Sequence, residues 1–214
     1  MTLTLTTGAV DAVSFLHLGK VFSSVITGNM ALLGVAAGTH NAALAVSGGV
    51  ALGGYAIGAA AGGIAAGTPA EGQPVWPWRV TAALAVETAL LAAFSAGWVA
   101  AGGHPSGVIQ QTLLGLAAAA MGMQSAAVRR LGQLSTTYLT STLTGLVVAL
   151  ALKRHGEHPR SLGILAAFIL GAVIGALVAG YAADWVPAPV LIPIVAVILA
   201  AEAPGPLKAP TRSH

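Results

Sequence analysis

Apolar runs follow one another along almost the whole chain, separated by short polar breaks. Four of them, about 42–67, 77–102, 107–131 and 160–184, exceed the roughly 20 residues a helix needs to cross a bilayer. A fifth, 187–203, is shorter but rich in Val, Ile and Leu, and a sixth, 3–18, is marginal. Two more, 21–38 and 135–152, are interrupted by hydroxyl residues or by Gly-Asn, and so predict broken or re-entrant segments rather than full crossings. The breaks are "TPAEGQPVWPW", "GGHPSG", "KRHGEHPR" and the C-terminal "EAPGPLKAPTRSH". The pattern predicts an all-α, polytopic helical membrane protein. The chain is expected to form a single membrane domain over residues 1–203, with a flexible tail over 204–214.

A shift of 113 residues aligns the chain with itself. Asp11 then meets Gln124, Gly19 meets Gly132, Thr27 meets Thr140, Gly28 meets Ser141 and Asn29 meets Thr142. The same ungapped register places Gly58, Gly62 and Gly67 on Gly171, Gly175 and Gly180, and Pro74 on Pro187. Coincidence among 28 glycines is the competing explanation, but it does not account for polar and glycine positions matching together. Two repeats are expected, about 1–101 and 107–203.

Charge then decides the topology, because Lys and Arg gather on the cytoplasmic side. If all eight runs crossed, the nine basic residues would divide five to four and decide nothing. If 21–38 and 135–152 dip in and return, Arg79, Arg129, Arg130, Lys153, Arg154, Arg160, Lys208 and Arg212 share one face, with Lys20 alone opposite. That split predicts six crossings, two re-entrant or broken segments and both termini in the cytoplasm. Three crossings per repeat invert one half relative to the other, as in many transporters.

Composition agrees. With 56% hydrophobic residues, 7% charged and a mean hydropathy of +0.85, the chain has too little polar surface to coat a soluble globule. The net charge of +3 is thinly spread over loops, which excludes a nucleic-acid footprint. No cysteine is present, so thiolate chemistry and Cys-ligated metals are excluded. "MTLTLTTGAVD" lacks the basic start of a cleavable signal and is read as part of the mature protein. The expected partners are the lipid bilayer, an unidentified small molecule or ion, and a second copy of the chain. No cofactor and no nucleic acid are expected.

Against this background a few polar residues stand out. An ionisable group inside a spanning segment costs at least about 2.5 kcal/mol on insertion scales, so Asp11 is either functional, or placed near the membrane surface. Its expected partners are Lys20, Arg129 or Arg130. Glu87, eight residues beyond Arg79, is either a hydrogen-bonded structural group or, like Asp11, a proton-coupling carboxylate. "STTYLTSTLT" supplies hydroxyls that serve as interhelical glue or, at Thr140 and Thr142 with Thr27 and Asn29, as a polar lining where Gly28 lets the backbone break. Gly58-x-x-x-Gly62 and Gly171-x-x-x-Gly175 predict close helix packing. The six histidines show no ligand spacing except "HGEH", which reads as a solvated face, so no metal site is expected.

"GAVDAVSFLHLGKVFSSVITGN" and "GMQSAAVRRLGQLSTTYLTSTLT" together resemble the paired signature of the YoaK-type bacterial membrane proteins, a group carried as a domain of unknown function. Asp11, Ser14, Phe15, Gly19, Phe22, Thr27, Gly28 and Asn29 stand where the first pattern has them, and Gln124, Arg129, Thr137 and Thr140 where the second does. The chain departs from the group in having fewer apolar residues before the first motif. The resemblance covers nearly the whole chain and implies a multi-pass inner-membrane protein, commonly with six helices. It implies no substrate or reaction. Three functions stay open: a small secondary transporter or channel binding substrate near Asp11, Ser14, Thr27, Gly28, Asn29, Gln124, Arg129, Thr137, Thr140 and Thr142; a non-transporting scaffold or accessory subunit; and, remotely, an intramembrane enzyme. No catalytic residue is legible.

Overall fold

Long stretches of Ala, Leu, Val and Ile without helix-breaking pairs fold as helices, and polar or Pro-Gly breaks end them. The computed structural model describes residues 1–67, 77–130, 139–152 and 158–202. Among these it contains α1 (Thr2–His17), α2 (Ile26–Gly38), α3 (Ala42–Ala66), α4 (Trp78–Ala100), α5 (Gly107–Arg130), α6 (Leu139–Ala151), α7 (His158–Tyr181) and α8 (Pro187–Glu202). A 3-10 turn, Ala183–Trp185, precedes α8. The fold is all-α and polytopic.

Several ends have legible causes. Asn41 Oδ1 accepts from the Leu44 N–H at 3.0 Å, starting α3 with a side-chain cap. At its other end Arg79 Nε donates to the Ala65 carbonyl at 3.0 Å, placing a cation on the helix C-terminus. Pro187 opens α8, where its missing N–H costs nothing.

Among the described residues, four segments are long and apolar enough to cross a membrane: Ala42–Ala66, Trp78–Ala100, Pro159–Tyr181 and Ala183–Ala201. The run at 107–131, which the sequence places among the clear crossings, is not one of these four. It forms the 24-residue helix α5, about 36 Å long at 1.5 Å per residue, so length is sufficient. Its polar side chains, Gln110, Gln111, Thr112, Gln124 and Ser125, dilute its hydropathy because it is mostly surrounded by protein. The two dipping runs become α2 and α6, each 13 residues and so roughly 20 Å, too short to span.

Contacts fix the helix directions. Thr7, early in α1, touches Gln124, late in α5, while Gln110, early in α5, donates to the carbonyl of His17, at the end of α1. The two helices are antiparallel. Cβ atoms added at Gly54, Gly58 and Gly62 would strike Gly115, Ala119 and Met123 in that order, so α3 runs parallel to α5. Gly171 and Gly175 lie against Leu5 and Ala9 in the same sense, so α7 runs parallel to α1. It follows that Met1, Arg79, Arg129, Arg130 and Arg160 share one end of the bundle. At the opposite end lie His17, Lys20 and Trp98, whose Nε1 donates to the Ala183 carbonyl at 2.8 Å.

The glycine contacts correct the ungapped register. Gly122 meets the Tyr55 carbonyl and the Ala59 amide, and Gly8 meets the Phe168 carbonyl and the Ala172 amide. Tyr55 and Phe168 are 113 residues apart, as are Ala59 and Ala172, but Gly8 and Gly122 are 114 apart. Leu5 and Ala119, opposite Gly171 and Gly58, are also 114 apart. Close backbone approach aligns the first helices on their glycines, and this moves Asp11 opposite Ser125 rather than Gln124.

Candidate functional site

The helix α1 is apolar on most of its surface but carries Thr4, Thr7, Asp11 and Ser14 at spacings of three and four, which is one helix face. All four are buried, none more than 4% exposed. Beyond Leu18 the chain breaks: Gly19 has φ 111° and Lys20 φ 62°, both left-handed. A side chain at Gly19 would also run into the Ser47 hydroxyl, so both backbone and space require glycine there. The reversal carries Ser23 and Ser24 back beside α1.

Asp11 is what they meet. Its Oδ1 accepts from Ser23 N (2.8 Å), Ser23 Oγ (2.7 Å) and Ser24 N (2.8 Å), and its Oδ2 from Ser24 Oγ (2.5 Å). Four donors on one carboxylate satisfy a buried charge without a cation. The expected ion pairs are therefore replaced by a serine cradle. Lys20 is exposed, with Nζ 5.7 Å from the Phe15 ring centre, and Arg129 is exposed at the end of α5. Asn29 closes the other side of the break: Oδ1 accepts from Phe22 N at 2.9 Å, and Nδ2 donates to Phe22 O at 2.6 Å. Asn29→Ala leaves both Phe22 backbone groups without this partner, and a loss of about 2–4 kcal/mol is expected in detergent unfolding. An unchanged transition would remove Asn29 from the clamp.

One turn of α1 before Asp11 a second group forms. Thr7 Oγ1 lies 2.8 Å from Gln124 Oε1, and Gln124 Nε2 lies 2.8 Å from Glu87 Oε1. Glu87 and Gln124 are 0% exposed. This chain joins α1, α5 and α4 inside the bundle. Glu87 therefore meets an amide, and its Oε2 has no hydrogen-bond partner.

Of the residues singled out from the sequence, Asp11, Asn29, Gln124 and Glu87 are buried and bonded as described. Ser14 is buried with its hydroxyl unpartnered. Thr142 is buried on α6, while Thr27 and Thr140 are exposed, Gly28 is half-buried, and Thr137 lies outside the described residues. The expected convergence of Thr27, Asn29, Thr140 and Thr142 with Asp11 and Gln124 is thus reduced to the α1–α5–α4 chain and the adjoining cradle. Thr27 and Thr140 fall on the outer face of the short helices because those helices pack mainly by one side. Gly58, Gly62, Gly171 and Gly175 sit at the close approaches predicted for them. Thr7, Ser23 and Ser24 escaped the sequence reading, although the three-four spacing along α1 and the Ser-Ser pair inside the quoted motif were both visible. No group of three or more His, Asp or Glu side chains that could hold a metal ion forms among the described residues.

Fold and centre define a multi-pass helical membrane protein with a buried, hydrogen-bonded polar core. Residues 1–201 match the family described as "Protein of unknown function (DUF1275)", and the chain belongs to that family. It is 32% identical over 147 residues to the UPF0700 transmembrane protein YoaK of Bacillus subtilis (strain 168), a match covering 68% of this chain and 63% of that relative. No solved structure matches the chain.

Proposed function

We propose that this protein is a small secondary transporter of the bacterial inner membrane, whose two halves, about 1–101 and 107–203, are inverted and enclose the polar centre. The observation that carries the reading is the fully buried Thr7–Gln124–Glu87 chain, which joins the first helix of each half to α4. Polar groups are costly inside a membrane bundle and mark pathways and couplings there. The antiparallel α1 and α5, and the matching approaches of α3 to α5 and α7 to α1, support the inversion. Gly19 lies against Ser47, so α1 ends level with the start of α3, and α2 returns the chain to the side it left. Six crossings follow, with the arginine-bearing end and both termini cytoplasmic. Asp11 is held as a structural anion by its cradle, which leaves Glu87 as the coupling carboxylate.

The test uses the purified full chain in phosphatidylethanolamine–phosphatidylglycerol vesicles holding a pH-sensitive dye. Monovalent cations, inorganic anions, amino acids and small sugars are added in turn across an imposed pH gradient. At least one class is expected to move protons beyond empty vesicles, and Glu87→Gln is expected to abolish that dependence on the pH gradient. Vesicles indistinguishable from empty ones with every class would instead favour a scaffold or accessory subunit.

A further inference from the structure

Counting protons along the buried chain says more than its distances. Thr7 Oγ1 lies 2.9 Å from the Leu3 carbonyl as well as 2.8 Å from Gln124 Oε1. A hydroxyl has one proton, and both neighbours are acceptors, so with the amide in this sense one contact has no hydrogen to share. The oxygen and nitrogen of a glutamine amide exchange places by a half-turn with almost no movement of other atoms. Turned over, Gln124 Nε2 donates to Thr7 Oγ1, and Thr7 donates to Leu3 O. Gln124 Oε1 then faces Glu87 Oε1 at 2.8 Å, a contact between two acceptors unless the carboxyl carries hydrogen. With that single proton, every one of the three contacts has one donor and one acceptor.

We propose that Glu87 is a proton-binding site whose proton is donated to Gln124 Oε1, and that the Gln124 amide turns over when the proton leaves. In the proton-free state Nε2 donates to Glu87, and Thr7 transfers its hydrogen from Leu3 O to Gln124 Oε1. The first turn of α1 loses a side-chain bond, while the Thr7–Gln124 bond is kept with its direction reversed, α1 now donating to α5. Proton occupancy on α4 is thereby read by α1, whose opposite contacts hold α7. The assignment deepens the coupling role given to Glu87 and rests on that reading for its use in transport. The proton site itself stands without it.

Titratable or charged groups on the surrounding elements are few. The amino terminus, Asp11 and His17 lie on α1, Tyr55 on α3, Arg79 on α4 itself, and Arg129 and Arg130 at the end of α5; α8 has none before Glu202. Gln124 is the only hydrogen-bond partner of Glu87 among the described residues. The proton count at Glu87 is therefore set against an amide rather than a counter-charge.

Infrared spectroscopy of the full chain in lipid nanodiscs at neutral pH tests this without a substrate. A protonated-carboxyl C=O band above the amide region is expected, shifted down in deuterium oxide and by carboxyl 13C-glutamate labelling, and unmoved by 13C-aspartate. It should vanish in Glu87→Gln, rise in frequency in Gln124→Leu where its acceptor is gone, and persist in Asp11→Asn. No such band in the wild type, a band that follows aspartate labelling, or one that survives Glu87→Gln would overturn the site. A Glu87 band unmoved by Gln124→Leu would overturn the coupling to Gln124. Labelled wild-type protein answers the first question even if a variant fails to fold, and a transport failure in vesicles would leave the band unaffected.

Discussion

Alanine at Gly58 is expected to push α3 away from α5 and to lower the unfolding free energy by about 1–3 kcal/mol or more, the cost of overpacking a tight contact. The added Cβ would fall on the Ala119 backbone carbonyl, which cannot rotate away as a flexible side chain could. Gly171→Ala meets the Leu5 carbonyl in α1 in the same manner and should cost a similar amount. The two interfaces share no residues, so the double variant should be close to additive. Gly53 and Gly63 lie on the same helix as Gly58 but have nothing within 4 Å of an added Cβ. There the intrinsic preference for alanine applies, and Gly53→Ala or Gly63→Ala should be neutral or stabilising by about 0.5–1 kcal/mol. The comparison separates packing from propensity, since all three changes are the same chemistry on one helix. Chemical unfolding in mixed micelles reads the difference. Equal effects at Gly53 and Gly58 would mean that α3 and α5 do not meet as described.

Much of this packing was legible because membrane helices associate by shape rather than by the hydrophobic effect. Small residues at four-residue spacing are the condition for close backbone approach, and Gly58, Gly62, Gly171 and Gly175 advertise it. The helical class was legible for a related reason: apolar runs of sufficient length have few alternatives in lipid. Helix direction was legible only through loop charge, and the contacts of Thr7 with Gln124 and of Gln110 with His17 agree with it.

The site was harder. A repeat found by aligning polar letters pairs Asp11 with Gln124, yet the backbone approaches align Gly8 with Gly122 and set Gln124 opposite Val10. Glycine contacts fix the register to one residue, whereas a polar side chain of several bonds can reach from either neighbour. Asp11 and Gln124 consequently do different work: the first holds a loop of its own half, and the second crosses to Thr7 and Glu87. Hydroxyl density misled in the same way. Thr140 counts as polar in a sequence, but its place on a short helix decides whether it faces protein, and it is exposed. Ser23 and Ser24 matter because a left-handed pair at Gly19 and Lys20 turns them back onto α1, and that reversal has no periodic signature.

The cradle gives the last expected result. Asp11→Ala removes the one acceptor shared by Ser23 N, Ser23 Oγ, Ser24 N and Ser24 Oγ, leaving these buried donors to find other partners, and should cost about 3–5 kcal/mol. Asp11→Asn keeps the shape and one carbonyl oxygen for the three bonds now made to Oδ1, while its amide can donate to a rotated Ser24 hydroxyl. Its cost should be smaller, about 1–2 kcal/mol, because charge-assisted bonds become neutral ones. Ser23→Ala and Ser24→Ala each remove one hydroxyl donor but keep the backbone donor, and about 1 kcal/mol apiece is expected. In a double-mutant cycle, either serine change made together with Asp11→Ala should cost less than the sum of the two single changes, since its bond is already lost. Arg129→Gln, on an exposed side chain, should stay within about 0.5 kcal/mol of wild type. A large Arg129 effect coupled to Asp11 would restore the ion pair that the sequence suggested and displace the serine cradle as what holds the carboxylate inside the bundle.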